Sequence, residues 1–423
     1  MNTQTPIRGR HLVAGGRNMS ATGRWIAKLF AGSFNTAVER IDRGIVNGTI
    51  HAKLPDGSSR TVGGRGEGPT AHIHLKSWHA LVRLATAGSI GWYEAWVAGE
   101  WVSPDPVMIF DLFMRNADTL GDTGRAKGPW RWAGRLLNMA RRNSKAQARR
   151  NIAAHYDLGN DFYRLWLDHT MSYSSALWQG LPDDATLDQA QANKVDRLGA
   201  RLALKPGSDV LEIGCGWGFL ARRLAQTSGA RVTGISLSDE QLDWARRELA
   251  ASGLAGIDYR HQDYRDVEGQ FDAIASVEMV EAVGREYWPS YFDCLARCLK
   301  PGGRAALQYI SIRDELFDAY AASADFIQAY VFPGGLLISE SEFKALSAER
   351  GLTWEDQYDF GLDYARTLKL WRHTLDQVVK SDTLPAGFDR KFIDLWRYYL
   401  MYCEGGFRGG GINVAQVTLV KRI

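Results

Sequence analysis

The stretch Val210-Leu211-Glu212-Ile213-Gly214-Cys215-Gly216-Trp217-Gly218 constrains this chain more than any other. The run 209–213 is short and mostly apolar, which reads as a buried strand. Three glycines at alternate positions follow, and then a helix-forming run from Phe219 to Leu224. A strand turning tightly into a helix offers backbone N–H groups to a ligand. Glycine permits the turn and leaves no Cβ between ligand and backbone. The spacing is Gly-x-Gly-x-Gly, unlike the Gly-x-Gly-x-x-Gly of dinucleotide sites.

From residue 200 onward strand and helix patterns alternate, as in an α/β doubly wound sheet. Strands are predicted at 209–213, 231–235, 257–260, 271–277, 304–310, 352–359 and 414–421, with helices at 240–251 and 286–299 among them. Leu299-Lys300-Pro301-Gly302-Gly303 reads as a helix stop and turn. Ligands of such sheets sit at the carboxyl ends of the first strands. That gathers 214–218, Ser236-Leu237-Ser238, Asp263-Tyr264 and 277–281 around one crevice.

A chain of 423 residues holds two or three domains. Residues 1–21 read as disordered, 22–120 as a small α+β domain, 121–150 as a basic linker and 151–423 as the α/β domain. In the small domain, Ile26, Leu29, Phe30, Phe34, Val38 and Ile41 share a helical face. A hairpin follows, with Pro55-Asp56-Gly57 as its turn. His72-Ile73-His74-Leu75 alternates as a strand whose histidines could hold a metal or line a solvated edge. A helix is predicted from 78 to 86, broken by Gly88-Ser89-Ile90-Gly91.

Net charge is only +3 and names no partner. Yet no acidic residue occurs from Thr123 to Tyr156, where arginines and lysines interleave with Trp130, Trp132 and Leu136. A solvated helix, an anionic lipid surface and nucleic acid are the three readings of that stretch. Cys215, Cys294, Cys298 and Cys403 form no disulfide framework, and Cys294 with Cys298 reads as core packing rather than a metal pair. No apolar run is long enough to span a bilayer and no signal core opens the chain. These features predict a reduced, cytoplasmic protein in which the Asn47-Gly48-Thr49 sequon is silent.

An acidic residue two positions before the first glycine is the pattern of class I S-adenosylmethionine (SAM) methyltransferases, with a nicotinamide or flavin site as the lesser alternative. Four further stretches look specialised: His155 to Tyr163 with Ser172-Tyr173-Ser174-Ser175-Ala176; Ser276-Val277-Glu278-Met279-Val280-Glu281-Ala282; Tyr364-Ala365-Arg366-Thr367-Leu368 with Trp371; and Tyr399 to Arg408. Together with the glycine loop they resemble the cyclopropane-fatty-acyl-phospholipid synthase family, which includes the mycolic acid methyltransferases. The resemblance implies methyl transfer from SAM to a cis double bond of a phospholipid acyl chain, with bicarbonate as base. It also implies a bilayer as partner, no nucleic acid, peripheral association with the inner membrane face, and the prospect of a homodimer.

Carried over residue by residue, the resemblance makes Glu281 a holder of the bicarbonate, Tyr364 a donor to it and Ile310 a backbone contributor. It places Cys403 near the reacting centre. Tyr173 and Ser174 lie over SAM, Gly214 and Gly216 approach its methionine part, and Ser236, Leu237 and Gln241 line the next segment. Asp263 and Tyr264 flank the adenine. Glu278 matches the family glutamate less well than Glu281. The chain departs from the family at Ser175, where a cysteine is usual, and at Ala282 and Gln308, where histidines are usual. Gln308 can hydrogen-bond an anion but cannot carry a proton away. Those departures open a second outcome, a methyl-branched or methylene product. A third reading is a non-catalytic lipid-binding protein.

After the fifth strand, Leu316, Phe317, Tyr320, Phe326, Ile327, Tyr330 and Phe332 recur at helical spacing. They read equally as helical core or as the wall of an acyl-chain tunnel.

Overall fold

The computed structural model describes residues 8–14, 34–121 and 158–422. Most of the basic stretch, and the helical positions Ile26, Leu29 and Phe30, lie outside the described residues. The chain divides into two compact units.

The first unit comprises the N-terminal residues together with Arg313–Pro333 and Ala386–Ile412. Its sheet has the order β2-β1-β3-β4, with β1 Asn47–Lys53, β2 Ser59–Gly63, β3 Gly66–Leu75 and β4 Trp101–Val102. β1 and β2 form the expected hairpin, and Asp56 accepts the Ser58 N–H at 2.9 Å across its turn. Alternation buries Ile50, Ala52, Val62, Ala71 and Leu75, and leaves His51, Lys53, Thr61 and His72 exposed.

The helix after β3 runs from His79 to Val97, past the predicted break. Gly88, at φ 59° and ψ −136°, kinks it instead of ending it. A Cβ at Gly91 would strike the Arg83 carbonyl, so glycine is what lets the second half re-enter so closely.

The N-terminal domain anticipated at 22–120 does not close on its own residues. The Arg390–Arg408 helix packs on the Pro106–Arg115 helix, where a Cβ at Gly405 or Gly409 would collide with Phe110 or Asp111. Asp325 accepts hydrogen bonds from Ser89 Oγ at 2.7 Å and Tyr402 Oη at 2.8 Å. One buried carboxylate thus joins three separate stretches of chain. Phe326 packs its ring on Tyr93 and Tyr398, at 4.9 and 4.8 Å. The aromatic positions Phe317, Phe326 and Tyr330 therefore serve as core of this unit.

The second unit holds Arg142–Ile312, with Gly334–Pro385 and Asn413–Ile423. Its strands are β5 Asp209–Ile213, β6 Arg231–Ser236, β7 Ile257–His261, β8 Phe271–Val277, β9 Leu299–Ile312, β10 Ile338–Ser339, β11 Leu352–Asp359 and β12 Ile412–Lys421. The order is β11-β12-β9-β8-β5-β6-β7, and β10 pairs with β9. Pairs among β5 to β9 are parallel, whereas β11 and β12 run antiparallel. All seven predicted strands form. The predicted turn at 299–303 is instead the irregular start of β9, pairing Leu299 with Phe271 before the register shifts. β5 lies between β6 and β8, so the strand order reverses there and a crevice opens at its carboxyl end. Val210, Ala221, Leu242 and Tyr259 belong to the apolar cluster that holds β5 in place.

Candidate active site

The glycine loop begins where β5 ends. The N–H groups of Gly214 and Cys215 both donate to the Ile235 carbonyl, which ties the loop to β6. Gly214, Gly216 and Gly218 all have positive φ, at 83°, 51° and 82°. Side chains at Gly214 or Gly218 would collide with Met279 or Tyr259. A Cβ at Gly216 would meet nothing nearer than Gln241 Nε2 at 4.0 Å, so space stands open over this backbone. Ser236 Oγ donates to Gln241 Oε1 at 3.2 Å, and Leu237 follows on the turn into the Asp239–Ser252 helix. Tyr264 Oη is buried without a hydrogen-bond partner. The Asp263 carboxylate is gripped by Arg265, with oxygens 2.8 Å from Nε and 2.6 Å from a terminal nitrogen. Open glycine backbone, the Ser236–Gln241 pair and an unpaired phenol fit a nucleoside bearing a methionine tail.

Beside the loop, aromatic rings form a wall. Trp217 packs on Tyr163 at 5.2 Å, Tyr163 on Tyr173 at 5.6 Å, and Tyr173 on Trp371 at 5.6 Å. Trp371 then meets Tyr364 edge-on at 6.2 Å. Tyr364, Thr367 and Trp371 come from one face of the Gly361–Lys380 helix, at i, i+3 and i+7. That helix also places the Tyr173–Ala176 segment, because Thr367 Oγ1 accepts the Ala176 N–H at 3.2 Å and Asp363 accepts the Trp178 N–H at 2.7 Å.

The carboxylates differ from expectation. Tyr364 Oη donates to Glu278 Oε2 at 2.7 Å. Glu278 Oε1 accepts the Ser175 N–H at 2.9 Å and Gln308 Nε2 at 2.9 Å. Glu278 takes this position with φ 53°, a left-handed backbone costly for any residue with a Cβ. Glu281 is also buried, with Oε1 accepting the Ile310 N–H at 3.3 Å and Oε2 without a partner. Burial, and then the neighbouring Glu278, push the Glu281 carboxyl well above the usual range. Burial raises Glu278 too, opposed by its three donors and by Lys194. The donors assigned to a bicarbonate are therefore spent on side-chain carboxylates of the chain itself. The residues present do not fit a bicarbonate as they stand.

Behind this pocket lie three residues that sequence reasoning missed. Lys194 Nζ is buried and donates to Ser174 Oγ at 2.7 Å, and burial pushes its ammonium down to about 8. Gln191 Nε2 donates to the Ser174 carbonyl at 2.9 Å. Gln416 Nε2 donates to Gln308 Oε1 at 3.2 Å, which turns the Gln308 amide N–H toward Glu278. All three fall in amphipathic or strand patterns that look like ordinary packing. Glu278 did carry a signal, since an added carboxylate in a segment next to lost proton carriers reads as compensation.

Not every anticipated residue joins this cluster. Ala282 is exposed. Cys403 belongs to the first unit, where burial and the Asp325 carboxylate push its thiol up. Among the described residues no group of three metal ligands occurs, and no helix is long and apolar enough to cross a membrane.

A glycine loop at the switch point of a mixed α/β sheet in this strand order defines a class I SAM-dependent methyltransferase fold. Residues 143–417 match the family model of mycolic acid cyclopropane synthetase, and the chain belongs to that family. It is 39% identical over 365 residues to the tuberculostearic acid methyltransferase UfaA1 of Mycobacterium tuberculosis, covering 84% of this chain and 83% of that one. It is 34% identical over 356 residues to the cyclopropane-fatty-acyl-phospholipid synthase of Escherichia coli K12, covering 84% and 88%. The solved mycolic acid cyclopropane synthase CmaA1, complexed with SAH and CTAB, matches with a TM-score of 0.60 at 30% identity, over 64% of this chain and 98% of that one.

Proposed function

We propose that this protein methylates the cis double bond of a phospholipid acyl chain with SAM as donor, and that Glu278 is the base in place of bicarbonate. The observation that carries the reading is the Glu278 carboxylate held by Ser175, Gln308 and Tyr364. The SAH-bound relative supports SAM as the cofactor, and Gly214, Gly216, Ser236 and Gln241 are the residues that would hold it. SAM, when bound, supplies an electrophilic methyl.

An alkene that accepts a methyl cation becomes a carbocation. The rings of Tyr173, Trp371 and Tyr364 offer π faces to that charge. Burial and the neighbouring Glu278 favour the neutral form of Glu281, which lowers the negative charge the pocket carries. Glu278 Oε2 accepts one hydrogen bond and keeps a lone pair for a proton. Its burial raises its basicity above that of an exposed glutamate. Loss of a proton from the transferred methyl closes a cyclopropane ring. The net change is one added CH2, with the proton left on Glu278.

A second reading is favoured by the name of the 39% identical relative. There the cation shifts by one hydride before losing the proton, giving a methylene branch of the same mass. The test incubates the full chain with SAM and vesicles of cis-monounsaturated phospholipid. A product heavier by one CH2 is expected, with upfield ring protons in its NMR spectrum; olefinic methylene protons would select the second reading. No mass shift with saturating SAM overturns both.

A further inference from the structure

The outer face of the first unit's sheet carries a cationic groove that the methyl-transfer chemistry does not use. In register across three strands, His51 faces Thr61 and His72, and Lys53 faces Ser59 and His74. The next strand sets Val102 beside His74. Arg60 also lines this open groove of about 550 Å³, and no carboxylate does. The rings of His51 and His72 lie 5.1 Å apart. Every imidazole, neutral or charged, presents at least one N–H, and the hydroxyls of Ser59, Thr61 and Ser103 add donors.

Apolar side chains accompany the charge. Val102, which lines the groove beside Pro104, is 36% exposed. Cations and N–H donors beside a protruding valine suit the phosphate layer of a bilayer, where headgroups meet the first methylenes.

We infer that this face, centred on Lys53, His51, His72 and His74, docks the protein onto anionic phospholipid. The occupant is the membrane surface rather than a soluble phosphate, because the groove is open and Val102 and Pro104 line it beside the cations. The inference is independent of the methyl-transfer reading, since docking needs neither SAM nor turnover.

The experiment is co-sedimentation of the full chain with phosphatidylcholine vesicles, with and without phosphatidylglycerol. Wild type is expected to bind the anionic vesicles about tenfold more tightly, with affinity falling as salt rises. Lys53→Glu with His72→Glu should abolish that preference, and Lys53→Ala with His72→Ala should weaken it, both with unchanged thermal melting. Unchanged vesicle binding by both variants overturns the inference and assigns binding to another segment, such as 122–157. Competition by millimolar inorganic phosphate also overturns it, by making the groove a site for the free anion.

Discussion

Tyr364 donates its phenolic hydrogen to Glu278, at 2.7 Å, and not to Glu281 three residues on. The relationship decides which carboxylate stands where a base is needed. In the proposed reaction, a glutamate fixed by three donors takes the place of a diffusible anion.

Glu278→Gln removes the base and keeps the shape. Turnover is expected to fall by about 10²- to 10⁴-fold, the usual worth of a general base, while calorimetry finds SAM affinity unchanged. Glu278→Gly is the sharper variant. It relieves the φ of 53° and frees Ser175 N–H, Gln308 and Tyr364 together. Its residual activity should rise several-fold with added bicarbonate; wild type should not respond. Bicarbonate dependence in wild type would return the base to the diffusible ion.

The pH profile follows from the same bonds. Burial raises Glu278, and the Tyr364 hydrogen bond partly lowers it again. The base works when deprotonated, so kcat/KM should climb with pH to a plateau, with its inflection above the ordinary glutamate value of about 4.3. Tyr364→Phe removes a bond to the charged form and should move the inflection upward. An inflection that stays put in Tyr364→Phe, or moves down, would detach Glu278 from the profile.

Glu212 offers a stability test at the root of the glycine loop. Burial pushes its carboxyl up to about 8, and its Oε2 has no partner. The folded chain thus keeps a proton that the unfolded chain has lost. Stability from this group is complete below about pH 4.5 and drains away as pH rises toward 8. Glu212→Gln should flatten the fall in melting temperature across that window. An identical pH slope in the variant would mean Glu212 titrates normally.

Asp325→Ala should leave Ser89 and Tyr402 without their shared acceptor. A loss of about 2–4 kcal/mol is expected from two stranded buried donors. Hydrogen exchange should show it as faster opening of amides in β1 and β3, with β5 and β8 largely unaffected.

The α/β architecture was legible because the strands at 209–213 and 271–277 are compact apolar runs and the glycine loop admits few structures. The start of β9 was not, since Pro301-Gly302-Gly303 signals a turn that strand pairing absorbs as a bulge. The helix at 79–97 was cut short because glycine propensity cannot tell a kink from an end. In the site, the residue types of Tyr364, Gln308 and Ser175 were readable, but their partner was not. Which of two glutamates three residues apart meets Tyr364 goes with a left-handed backbone at Glu278 that local preference argues against. Lys194 and Gln416 act from behind the pocket, where helix and strand periodicity registers only packing.

The carboxylate that binds Ser89 to Tyr402 also sets an order of events during synthesis. The Pro106–Arg115 helix leaves the ribosome nearly three hundred residues before the Arg390–Arg408 helix that packs on it. Until Ala386–Ile412 emerges the N-terminal unit stays unfinished, and the α/β unit in turn waits for Asn413–Ile423, which supplies β12 inside its sheet, so a stop codon anywhere before that helix spoils the beginning of the protein as well as its end.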